Sequence, residues 1–181
     1  TRFTVDSNDS PQASYPVTLD LLSLSDIIKI LVNSYVWDLR HENDSDETHD
    51  PERLKQQLSE IERCAAGEPV SPLAEEDILD LEQYCRHKLG NKNSNRRMAA
   101  LHAIGFWDRA ARIVPYLQDS DLGRLFNMLW EDIQAISKIF SQMLQALNQL
   151  GHPRMAYCSL EGLCRMEGGD LRREAVAELL A

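Results

Sequence analysis

Residues 121–150 read DLGRLFNMLWEDIQAISKIFSQMLQALNQL. Leu122, Leu125, Leu129, Ile133, Ile136, Phe140, Met143, Leu147 and Leu150 recur at steps of three or four, the spacing that gathers side chains on one helical face. At 1.5 Å of rise per residue the stretch predicts a single rod of roughly 45 Å. Asp119 or Ser120 caps its start, and Gly151 and Pro153 end it. Met128, Trp130, Ile139 and Leu144 fall off the main stripe, so this helix carries apolar surface for more than one neighbour. The expected fold is therefore all-α, a bundle of six to seven helices packed around one long central helix at about 121–150.

The flanking sequence supplies the other helices. Ser25 or Asp26 caps a helix to about His41 that is apolar on most sides (Ile27, Ile28, Ile30, Leu31, Val32, Tyr35, Val36, Trp37, Leu39), as expected of a central or partner-covered element. Asp50-Pro51 and Ser71-Pro72 each pair an N-cap with a proline at the first helical position, where its missing N–H costs nothing. They open helices at about 51–66, with Leu54, Leu58 and Ile61 on one stripe, and 72–89, with Leu73, Ile78, Leu81, Tyr84 and Cys85 inward. A helix over about 95–114 places Ile104, Phe106, Trp107, Ala110 and Val114 on one side and Arg97, His102, Arg109 and Arg112 on the other. Two shorter helices, at about 153–167 and 171–181, flank Gly168-Gly169. Residues 1–24 read as a polar N-terminal arm or strap, with 17–24 either a short helix or extended. Residues 25–181 read as one helical domain, in which 168–181 packs as a separate C-terminal helix.

Composition narrows the function. The 181 residues are 43% hydrophobic and 27% charged, an ordinary globular balance. No apolar run reaches the length of a membrane-crossing helix, and no basic-then-apolar start suggests a secretory leader; a cytoplasmic location follows as the expectation. Cys64, Cys85, Cys158 and Cys164 form no CxxC pair and are expected as buried reduced thiols.

The sites of common chemistries are missing. There is no HExxH, no GxSxG and no glycine-rich phosphate loop. Glu75/Glu76 and Glu131/Asp132 are sequence neighbours and so diverge by about 100° on a helix, unlike an acid/base dyad. The acidic segment HENDSDETHD at 41–50 begins like a calcium loop, but His49 stands where glycine is needed and Lys55 where the bidentate glutamate belongs. No catalytic residue, metal site or cofactor is expected, and the chain is read as not an enzyme.

Charge gives the positive signal. The net charge is -10, yet residues 86–115 hold seven bases and one acid, whereas residues 1–85 hold nineteen acids and six bases. An anion-binding face is expected at Lys88, Lys92, Arg96, Arg97, Arg109 and Arg112, around the helix start after NKNSN, with Trp130 as an aromatic anchor. The resulting expectation is an adaptor, inhibitor or regulatory subunit that binds a protein partner through this basic helix face, with homo-oligomerisation through uncovered apolar surface as a further option. The alternative is a small helical subunit touching a nucleic-acid backbone through the same residues. No aromatic is interleaved on that face, which argues against base stacking.

Overall fold

The computed structural model describes residues 2–5, 17–36, 50–65, 67–89, 95–158, 166–167 and 170–171. Among them the chain is mostly helical, with helices α1 (Leu24–Ser34), α2 (Pro51–Glu62), α3 (Glu75–Leu89), α4 (Asn95–Ala103), α5 (Phe106–Ile113), α6 (Asp119–Asn127) and α7 (Gln134–Leu150). It also contains strands, which the all-α expectation lacked: β1 (Arg2–Val5), β2 (Val17–Asp20), β3 (Met155–Cys158), β4 (Met166–Glu167) and β5 (Asp170–Leu171). Two compact units result, one from Leu24–Ala146 and one from Thr1–Ser23 with Leu147–Ala181.

The helical unit follows local signals closely at α2. Asp50 caps it, its Oδ1 accepting from Glu52 N at 3.1 Å, and Pro51 sits at the first position. Leu54, Leu58 and Ile61 form the buried stripe. At the start of α3, Ser71 Oγ accepts from Leu73 N and Asp77 Oδ2 accepts from Ala74 N, so two free amide donors are satisfied by side chains. Glu75, Glu76 and Asp77 crowd that first turn, where the helix dipole favours acids. Further on, Ile78, Leu81 and Cys85 are buried.

The 95–114 helix is broken. Gly105 adopts φ +67 with its N–H on His102 O, a left-handed stop that glycine tolerates without strain. The chain restarts as α5, which buries Phe106, Trp107, Ala110 and Ala111.

The long rod is broken too. α6 ends at Asn127, and residues 128–132 turn through bonds from Leu129 N to Phe126 O and from Trp130 N and Asp132 N to Asn127 O. Glu131 and Asp132 stand at φ +56 and +55, a region that costs a non-glycine residue about 1 kcal/mol or more. Most of the expected stripe faces one core across the break: Leu122, Leu125 and Leu129, then Ile136, Phe140 and Leu147 are buried, joined by Phe126, Trp130 and Leu144, whereas Met143 of the same stripe is 47% exposed. Phe140 lies 5.7 Å from the Phe126 ring and 5.5 Å from the Trp130 ring. A rod would have carried half of this set away from the other half.

In the other unit β1, β2 and β3 form an antiparallel sheet in that order, with Phe3 opposite Leu19 and Leu19 opposite Ala156. β3 occupies part of the helix expected over 153–167. β4 and β5 pair as a two-stranded ladder. Leu171, the first residue of the helix expected over 171–181, lies in β5; 172–181 and the acidic segment 41–49 lie outside the described residues.

Candidate functional site

Two residues of the basic face expected from sequence, Arg97 and Arg109, are engaged inside the helical unit. Arg97 is 4% exposed on α4 and its Nε donates to Met128 O at 2.7 Å. The bond ties α4 to the turn after α6. Burial works against the Arg97 charge, and the carboxylates of Glu131 and Asp132 together with the Tyr35 hydroxyl oppose that loss. Tyr35 in turn donates to Glu131 Oε1 at 2.8 Å. Arg97 is therefore an internal brace, since a buried guanidinium is tolerated only where acceptors and acids surround it.

Arg109 is engaged as well. Its Nε and Nη2 donate to the two carboxylate oxygens of Glu62, each at 2.6 Å, and Nη2 also donates to Ser59 Oγ. This fork clamps α5 to α2, and the guanidinium holds the Glu62 carboxyl below its ordinary value while burial opposes it. Trp130 is fully buried, its Nε1 shared by Asn127 Oδ1 and Ser137 Oγ at 3.1 Å each. It anchors the core and not a partner. Arg112 is exposed, with Nε on Asp108 O of its own helix. The backbones at Lys88 and Arg96 are helical; their side chains, and Lys92 altogether, lie outside the described residues.

A groove lies between α3, α4 and α5. Glu82, Cys85 and Arg86 of α3, Met98, Ala99 and His102 of α4, and Trp107 of α5 line a cavity of about 330 Å³. Cys85, Met98, Ala99 and Trp107 make its apolar lining, and Trp107 is held edge-on to Phe106 with centroids 5.1 Å apart. Arg86 and His102 stand at the mouth, Arg86 Nη2 3.4 Å from His102 Nε2. Glu82 accepts from the same Arg86 nitrogen, but its side chain is 19% exposed against 67% for Arg86. The cation faces outward and the anion is tucked beneath it.

From Gln83 to Trp107 the chain has no Asp or Glu, and it carries Arg86, Lys88, Lys92, Arg96 and Arg97. Sequence reasoning saw the charge but missed Cys85, Met98, His102 and Trp107 as a lining. They come together only when α3, α4 and α5 fold against one another.

The groove holds no evident nucleophile. Burial pushes the Cys85 thiol up to about 12, so it stays protonated and inert at neutral pH. Cys64 departs from the expected burial: it is exposed, with Sγ near Glu60 O. Among the described residues, no three His, Cys, Asp or Glu side chains group as a metal site, and no helix is long and apolar enough to cross a membrane.

These features define a mostly helical protein with an amphipathic groove set in a basic segment. A family model covers residues 1–177, and the chain belongs to the family described as "putative bacterial virulence factor". No curated protein and no solved structure matches the chain.

Proposed function

We propose that the chain is a non-catalytic interaction protein that engages an acidic segment of a partner protein through the face formed by α3 and α4. The observation that carries this reading is the acid-free run from Gln83 to Trp107 in a chain of net charge -10, with the outward Arg86 and His102 at its groove. Such a segment attracts a negative partner while the rest of the chain repels it, which favours one docking orientation. The internal duties of Arg97, Arg109 and Trp130 remove them from the contact set.

The test measures binding of two fluorescein-labelled probes, a glutamate-rich peptide and a 20-nucleotide single strand, by anisotropy over a salt series. The acidic peptide should bind, and Arg86→Glu should weaken it several-fold. Binding of the oligonucleotide alone, with a steep salt dependence, would transfer the face to nucleic acid and end the protein-partner reading.

A further inference from the structure

We infer that the α3–α4–α5 groove is a receptacle for one bulky apolar side chain of the partner, with a carboxylate beside it in the partner's sequence. The inference rests on the reading that this face takes an acidic protein segment. It adds what that segment must contain.

Size gives the first constraint. A space of about 330 Å³ sits at the small end of ligand cavities and admits a large side chain. Lining chemistry gives the second. Trp107 and Cys85 are almost wholly buried, Met98 is half-buried, and Ala99 is open. An aromatic or branched aliphatic group entering between Met98 and Trp107 trades water for a thioether and an indole, contacts that favour aromatic and flexible apolar partners. Ala99 is the smallest residue on the rim, and its methyl leaves the entrance free.

Charge gives the third. Arg86 is held by Glu82 through Nη2 alone; among the described residues no acceptor meets its Nη1. The Arg86 side chain is 67% exposed and lines the groove, where a carboxylate can accept a charge-assisted hydrogen bond. His102 is exposed beside it, its Nε2 3.4 Å from Arg86 Nη2. An apolar anchor lacking the acid would leave this edge unused, and an acid lacking the anchor would leave the cavity filled with water. Interfaces concentrate their energy in such a combination, an aromatic or aliphatic anchor in a small cleft beside a polar rim.

The experiment uses the full chain and three labelled nine-residue peptides: one glutamate-rich with a single central tryptophan, the same with alanine at the centre, and the tryptophan peptide with glutamine for every glutamate. The tryptophan-glutamate peptide should bind about tenfold tighter than its alanine counterpart, the scale of burying one aromatic side chain at a partly open site. Ala99→Trp, at an exposed helical position, should erase that preference and leave the weaker charge-driven binding. Arg86→Gln should shrink the advantage of glutamate over glutamine flanks about threefold, and an unchanged advantage would remove Arg86 from the carboxylate contact. In the 15N–1H spectrum of the unmodified chain, the Trp107 indole N–H signal should move with the tryptophan peptide and not with the alanine one. Equal binding of the tryptophan and alanine peptides, with Ala99→Trp neutral, would overturn the receptacle and keep the charged face. Failure of both glutamate peptides to bind would overturn the face and the receptacle together.

Discussion

Arg86 and Arg97 belong to the same acid-free run, yet Arg86 is 67% exposed on α3 and Arg97 is 4% exposed on α4. The difference lies in what each meets. Arg97 reaches a main-chain carbonyl of a turn with no regular partner for it, at Met128. Arg86 meets one carboxylate on its own helix, four residues back. Identical charge in neighbouring sequence thus serves once as an internal brace and once as a display, and the local environment decides which.

Stability measurements break or sharpen that contrast. Arg97→Met keeps much of the volume but strands the Met128 carbonyl and removes the cation near Glu131. It should lower stability by about 3 kcal/mol, read as a fall in the urea midpoint. A loss below about 1 kcal/mol would mean that the brace is ornamental.

Glu62→Gln should cost about 1–2 kcal/mol at neutral pH by ending the fork with Arg109. The Glu62 pKa is lowered in the folded protein, so its contribution is present above the unfolded carboxylate value and lost as pH falls through the lower folded value. The gap between the original chain and Glu62→Gln should therefore close in acid, and a gap unchanged down to pH 2 would contradict the pairing.

Asp132→Gly tests the turn that Arg97 braces. Asp132 is exposed at φ +55, so glycine should relieve backbone strain and raise stability by about 0.5–1 kcal/mol. A clear loss would show that the Asp132 charge near Arg97 outweighs the strain. The smallest effect is expected at Arg86→Ala, within about 0.5 kcal/mol, measured in the same urea series. A large destabilisation there would move Arg86 from display to brace.

Where the chain punctuates itself, the sequence is legible. Asp50-Pro51 opens α2 as read, and Leu54, Leu58 and Ile61 bury as their spacing demands. Gly105 was visible, but a lone glycine inside an apolar period does not announce a left-handed stop. Splitting there frees α5 to turn relative to α4, so one wheel for residues 95–114 put Arg97 and Arg109 on a common outer face that does not exist. Trp130-Glu131-Asp132 offers no glycine or proline at all, and the turn is imposed by the packing of Phe126, Trp130 and Phe140. The strands escaped for another reason. Four residues such as Met155–Cys158 carry too little local preference, and their pairing with Val17–Asp20 is a fact of distant sequence. At the site, charge was legible and cavity was not: composition marks a basic run, while a lining drawn from three helices exists only after they meet.

The register of β2 sets an order of events. Its one neighbour is the nearby β1, and its other is β3, which follows the whole helical unit in the chain. Closing so long a loop is slow, so during synthesis the 17–20 segment waits with an open edge until residue 158 has emerged. In that interval the open edge is a place where another extended chain can add itself.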